Sequence, residues 1–199
     1  VAKQRQKSPR ARLFVALELP DDVRKGLTAW QRTELEPIPV LRPVAPEALH
    51  VTLAFLGNRP ERDIQRIGSI LDEIDRPAPE LRFLPDPVGR PQGRPRLFAI
   101  EAESPGAVEL QAEVSDALEQ ARLYEPEKRD FWPHVTVART RRERSGSNKP
   151  AKVDVRPRAL PEELERPFAS VRIRLYRSHL RPQGAQYEPL SSIDLKVSS

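Results

Sequence analysis

Two tripeptides in this 199-residue chain have the residue types for acid and base work: His50-Val51-Thr52 and His134-Val135-Thr136, 84 residues apart. In an extended strand side chains alternate between faces, so each His shares a face with its Thr while the Val points the other way. Each copy therefore offers an imidazole beside a hydroxyl. Brought together across a groove by an approximate two-fold axis, the two pairs would bracket one reacting atom. Imidazole suits proton transfer because its unperturbed pKa, roughly 6.5, lets both protonation states coexist near neutrality. One neutral ring takes a proton from an attacking water or hydroxyl. The other, as imidazolium, donates to the departing oxygen, and the Thr hydroxyls hold non-bridging phosphate oxygens. Such a pair predicts phosphoryl transfer without metal and a bell-shaped pH profile, each proton transfer contributing about 10²- to 10⁴-fold in rate.

A lone histidine on an apolar strand is ordinarily a hydrogen-bonded core residue, so recurrence carries the functional reading. Arg12-Leu13-Phe14 recurs as Arg96-Leu97-Phe98 at the same 84-residue offset, and two matches at one shift predict two similar lobes. The third histidine, His179, has no counterpart and reads as structural or solvent-exposed. Two distant histidines without cysteine, a His-x-x-x-His pair or a carboxylate cluster make a poor zinc site. Asp130 is the one nearby carboxylate, with a turn cap as its plain reading. Arg139 lies five residues beyond His134, opposite to it in strand parity, and reaches the groove only if the strand end twists it back. From Arg139 to Lys149 the chain reads as a basic loop able to draw in a nucleic-acid backbone, or as a solvated loop without a partner. Phe14, Phe55, Phe98, Phe131 and Trp132 could stack on a base, although their apolar surroundings favour the core.

The elements that must position these residues follow from apolar patterning. Arg12 to Leu19 and Leu49 to Leu56 are compact apolar runs that suit buried strands, the second ending at Gly57-Asn58. Asp21 and Asp22 start a helix carrying Val23, Leu27 and Trp30, and a second helix carries Ile64, Ile67, Ile70, Leu71 and Ile74. Further strands are expected at Glu80 to Phe83, Arg96 to Glu101, Trp132 to Ala138, Ala169 to Tyr176 and Tyr187 to Leu195. A third helix is expected from about Ala107 to Leu123, and a turn at Gly184. The result is an α+β chain of two pseudo-symmetric lobes of antiparallel strands with outer helices and a central groove. If the lobes are consecutive, their boundary falls in Asp75-Arg76-Pro77-Ala78-Pro79; if they interleave, no clean cut exists. Residues 1–10 read as a basic tail and 11–199 as one bilobal domain, expected to be monomeric.

Composition narrows the partners. A formal charge of +5, carried mainly by arginine, and a pI near 9.8 favour polyanions, because guanidinium pairs with phosphate through a planar fork. Absence of cysteine excludes disulfides, thiolate metal sites and a Cys nucleophile. No stretch approaches about 18 consecutive apolar residues, and no cleavable apolar region follows the basic start. A cytoplasmic protein without a membrane partner is expected.

With these residues in place, His50-Val51-Thr52-Leu53 and His134-Val135-Thr136-Val137 resemble the duplicated His-x-Thr/Ser-x motif of the two-histidine (2H) phosphoesterase superfamily. Leu49 to Gly57, Pro133 to Arg139, Arg12 to Leu17 and Leu175-Tyr176-Arg177-Ser178 are similar to the bacterial and archaeal RNA 2′,3′-cyclic phosphodiesterases, formerly called 2′-5′ RNA ligases. That resemblance spans Arg12 to Leu195. It implies hydrolysis of a terminal RNA 2′,3′-cyclic phosphate to a 2′-phosphate, with reversible 2′-5′ joining as a side activity and no metal or cofactor. It also implies that His50 protonates the leaving O3′, that His134 activates water, and that Thr52, Thr136 and Arg139 bind the phosphate. The chain departs from relatives at Leu41-Arg42-Pro43-Val44, where they often carry an aromatic residue, and at Phe98-Ala99, where many have Trp. Hydrolysis of small cyclic nucleotides or 2′-5′ oligoadenylates, and RNA binding without catalysis, are the competing readings.

Overall fold

The computed structural model describes residues 9–144, 146, 148–181 and 184–196. Of the expected basic tail, residues 1–8 lie outside the described residues, and Arg10 already opens the first strand. The strands are β1 (Arg10–Glu18), β2 (Leu41–Pro43), β3 (His50–Pro60), β4 (Glu80–Phe83), β5 (Val88–Arg90), β6 (Leu97–Glu103), β7 (His134–Thr140), β8 (Phe168–Ala169), β9 (Arg172–Arg181) and β10 (Gly184–Asp194). Three α-helices join them: α1 (Asp21–Glu34), α2 (Asp63–Asp72) and α3 (Pro105–Gln120). The α+β reading and the antiparallel pairing hold throughout the sheet, whose order is β10-β9-β1-β3-β7-β6-β4-β8, with β2 also on β7 and β5 also on β6.

The two halves meet at one residue pair. β3 and β7 run antiparallel and pair through Val51 and Val135, the middle residues of the two tripeptides. An antiparallel pair has a local two-fold axis, so the repeat is related by symmetry at the centre of the sheet. The lobes interleave: the C-terminal β9–β10 hairpin returns to β1, while β2, from the first half of the sequence, pairs with β7. The proline-rich stretch at 75–79 is therefore no boundary between lobes. Ser170 and Val171 alone carry the chain from β8 on β4 to β9 on β1, so the expected strand from Ala169 to Tyr176 is broken there. Alternating patterning reads straight through the crossing because both flanking strands share the same core.

Glycine corrects a second boundary. The strand expected to stop at Gly57 runs on to Pro60, because Gly57 takes φ +67° at a bulge where the partner register shifts between Leu13 and Phe14. The helices start as their sequences dictate: α1 carries Asp21 and Asp22 in its first turn, complementing the helix dipole. At α3 the Ser104 hydroxyl accepts from the Ala107 N–H at 3.0 Å, with Pro105 in the first turn. One apolar cluster spans both halves, taking Leu13, Val15 and Leu17 from β1, Val51, Val135, Val137 and Ile100 from the middle, and Leu27, Ile67 and Leu110 from the helices. Gln31 of α1, itself buried, donates to the carbonyls of Val44 at 3.1 Å and Val137 at 2.7 Å, tying this helix to the backbone of β7. The opposite face of the sheet holds a small separate cluster of Phe14, Ala16 and Tyr176.

Pairing shows which residues of the repeat are equivalent. Ala16 faces Thr52 and Glu18 faces His50, while Ala99 faces Thr136 and Glu101 faces His134. The shift along β1 and β6 is thus 83 residues, one less than for the His-Val-Thr copies. Phe14 faces the groove and Phe98 lies in the main core, so the Arg-Leu-Phe match at 84 aligns residues that point to opposite faces. The lobes it predicted are present; that particular match is not their structural repeat.

Candidate active site

His50 and Thr52 come from β3, His134 and Thr136 from β7, and all four line one groove of about 680 Å³, with Arg139. The Val between each His and Thr is fully buried on the helix side, so packing of Val51 and Val135 fixes which face the reactive groups take. Carried one residue either way from Val51 and Val135, the antiparallel register sets His50 beside Thr136 and Thr52 beside His134. Each imidazole is thereby next to the other lobe's hydroxyl.

Arg139 reaches the groove by a bulge. Along β7 the exposure alternates from His134 to Thr136 and then breaks, with Val137 and Ala138 both buried and Arg139 exposed. The partner register shifts at the same place, between Phe98 and Ala99. An extra residue in a strand inverts parity beyond it, so Arg139 regains the face of His134 without any twist at the strand end. β3 repeats the device: Leu53 and Ala54 are both buried, and Phe55, the counterpart of Arg139, rejoins the groove. There the guanidinium comes from the neighbouring strand instead, with Arg12 lying 4.5 Å over the Phe55 ring. The symmetric frame thus carries an arginine on both sides, from non-equivalent positions.

The two histidines sit in unlike surroundings. His134 is held from behind: its Nδ1–H donates to the Trp132 carbonyl at 2.7 Å, and its ring stacks on Trp132 at 3.8 Å between centroids. Because a carbonyl can only accept, this contact fixes the proton on Nδ1 and presents the Nε2 lone pair. Trp132 in turn donates Nε1–H to Glu101 at 2.8 Å, and Arg90 covers its ring at 5.1 Å. Burial lowers the pKa of His134, opposed by the Trp132 carbonyl and by Glu101.

His50 lies in an aromatic cage. Phe14 stacks on it at 5.0 Å, Tyr176 at 5.9 Å, and Tyr187 meets it edge-on at 5.4 Å. Its Nδ1 is buried without a hydrogen-bond partner. Burial first, then the positive charges of His134 and Arg139, bring its pKa down to about 4. The electrostatic influence of His134 and Arg139 on His50 also marks the three as one site.

His179 is partly exposed and pairs with Glu188 at 2.9 Å, away from the groove. Asp130, Phe131 and Trp132 line a side cavity of about 300 Å³ that reaches the groove at Thr52 and His134. Phe98 is core, Phe14 backs His50, and Phe55 is 38% exposed on the groove wall. Among the described residues no group of His, Asp or Glu could hold a metal ion, and no helix is long and apolar enough to cross a membrane.

The sequence model of the 2′-5′ RNA ligase superfamily matches residues 19–181. The chain belongs to this superfamily. An RNA 2′,3′-cyclic phosphodiesterase of Thermus thermophilus is 32% identical over 197 residues, covering 93% of this chain and 90% of the relative. One of Archaeoglobus fulgidus is 29% identical, covering 90% of this chain and 97% of the relative. A solved Thermus thermophilus structure superposes with a TM-score of 0.72 at 29% identity, over 94% of this chain and all of that one. Escherichia coli LigT in apo form gives the same TM-score of 0.72 at 24% identity, over 95% of this chain and 99% of that chain, a likeness of fold. Within the superfamily fold, sequence reasoning found both histidines, both threonines and Arg139 in the groove. It missed Glu101 and the cage residues Tyr176 and Tyr187. The Glu18 and Glu101 pair, each opposite a His, was the one available signal for the first, hidden by the 83-residue shift.

Proposed function

We propose that this protein hydrolyses the 2′,3′-cyclic phosphate at an RNA end to a 2′-phosphate, using His134 as base and His50 as acid. The observation that carries the assignment is the Trp132 carbonyl on His134 Nδ1, which leaves Nε2 ready to accept a proton. Water attacks phosphorus as His134 Nε2 takes its proton. The bond from phosphorus to O3′ breaks, and the proton on His50 Nε2 passes to O3′, giving a 2′-phosphate monoester and a free 3′-hydroxyl. Solvent then returns the proton from His134 to His50. A 5′-hydroxyl of a second RNA in place of the water would give a 2′-5′ linkage by the same transfers, and its reverse would undo it.

The threonine hydroxyls donate to the non-bridging oxygens, and Arg139 offsets the charge that builds there in the transition state. Arginine matters here for its planar fork as well as its charge. Arg139→Lys is expected to lower kcat/KM by about 10-fold and Arg139→Ala by about 10²-fold, measured by steady-state hydrolysis of a cyclic-phosphate dinucleotide. Lysine restoring full activity would reduce Arg139 to a point charge.

The proposed function is tested by incubating the protein, in excess EDTA, with an oligonucleotide ending in a 2′,3′-cyclic phosphate. A 2′-phosphate end formed at an undiminished rate is expected. An unchanged terminus, or strict dependence on added metal, would overturn the reading, and a 3′-phosphate product would show that O2′ is the leaving oxygen.

A further inference from the structure

A second cavity, of about 960 Å³, opens beside the groove and shares Arg42 and Arg139 with it. It is lined also by Arg96, Arg141 and Arg142, and by no carboxylate among the described residues. Three features suit it to an anion. Arg42 and Arg139 are direct cross-strand partners in β2 and β7, so both arginines belong to one wall of the cavity. Thr140 and Asn148 add uncharged polar residues to the lining. Glu143, a carboxylate of the loop that follows β7, is engaged by Arg94 at 3.0 Å.

The backbone beneath these side chains is pinned. Arg141 N–H donates to the Val40 carbonyl at 2.8 Å, its carbonyl accepts from Ala151 N–H at 2.8 Å, and its guanidinium Nε–H donates to the Pro39 carbonyl at 3.0 Å. Thr140 N–H donates to the Arg96 carbonyl at 3.0 Å, which ties Arg96 to the same strand end. The arginines thus stand on joined strand ends, β2, β6 and β7, that also deliver Arg139 to the reacting phosphate.

We infer that this cavity is a second phosphate site, which receives the phosphodiester on the 5′ side of the terminal nucleotide of an RNA strand. The inference rests on the proposed cyclic-phosphate chemistry and adds a reason for an RNA end to be preferred over a free nucleotide. A nucleoside 2′,3′-cyclic phosphate offers one phosphate, for the histidines. A dinucleotide with the same terminus offers a second, and Arg139 lies between the two cavities. Charge-assisted contacts from guanidinium groups to that second phosphate add affinity without touching the reacting atoms.

The test compares adenosine 2′,3′-cyclic phosphate, the adenylyl dinucleotide with the same terminus, and that dinucleotide with a neutral methylphosphonate linkage. Wild-type protein is expected to favour the charged dinucleotide over the other two by at least about tenfold in kcat/KM, through KM. The Arg96→Ala/Arg142→Ala double variant is expected to lose that preference while turning over the mononucleotide within about twofold of wild type. Arg62→Ala, which removes one charge at the start of α2, is the control and should keep the preference. Equal wild-type rates on charged and neutral dinucleotides would overturn the second site while leaving the cyclic-phosphate chemistry intact. So would a double variant that slows all three substrates alike, or a control variant that also loses the preference. Wild-type turnover of none of the three would overturn the proposed function, and the second site with it.

Discussion

Replacing either groove histidine with alanine is expected to lower kcat for a cyclic-phosphate dinucleotide by about 10²- to 10⁴-fold, with KM changed by less than about threefold. A proton in flight exists only in the transition state, so its removal falls on kcat and spares substrate binding. Both rings are half-buried side chains on strands whose inward neighbours, Val51 and Val135, remain in place, so the fold should survive, which far-UV circular dichroism would check. The double variant should be little worse than the poorer single one, because both transfers serve one transition state. Losses under tenfold in both single variants would remove the histidines from the chemistry.

The unequal legibility of the two lobes has a physical origin. Reactive side chains on strands are easy to read because period-two alternation places His and Thr together whatever the rest of the fold does. The α+β class, the groove and the five site residues came from that rule and from resemblance. What alternation cannot foresee is its own interruption. Bulges at Leu53 and Val137 each insert one residue, and the parity argument for Arg139 therefore pointed to the wrong face until the bulge restored it. Such irregularities are set by cross-strand register, which no single segment contains.

The same limit explains the supports behind the histidines. Trp132, two residues from His134, reads as an apolar flank in a strand, whereas its indole spans from the imidazole to Glu101 on the neighbouring strand. Tyr176 and Tyr187 come from the hairpin that returns to β1 after crossing from the far edge, so their place around His50 is a property of topology. Pseudo-symmetry hides this further. The equivalent Glu18 is held by Arg172 and Arg174, at 3.3 and 2.9 Å, and takes no part behind His50. The difference between the two halves of the frame lies in these supports more than in the repeated tripeptides.

With His50 as the proposed acid, the protonation state required for turnover is the uphill one, and this gives the second large effect. An acid must carry its proton before transfer, yet burial in the cage and the nearby positive charges hold the His50 ring at a pKa of about 4. At pH 7 only about one His50 in 10³ would then be protonated. A bound phosphate supplies the missing partner: a negative charge beside His50 favours the imidazolium and opposes the effect of Arg139 and His134. Once protonated in that cage, with no acceptor for Nδ1–H, the ring is a strong acid and gives its proton up readily to O3′. In an NMR titration His50 should therefore titrate near pH 4 in the free protein and at least about two units higher with a 2′-phosphate nucleotide bound. Folding stability gives an independent readout. The folded pKa lies below the unfolded value, so neutral His50 favours the folded state above about pH 6.5, and that contribution is lost as pH falls toward 4. The loss is at most on the order of 3 kcal/mol, and His50→Phe should remove it from the pH dependence of urea unfolding. If bound 2′-phosphate instead raises His134 and leaves His50 near 4, the acid and base exchange places, and the Trp132 carbonyl becomes a support for the imidazolium.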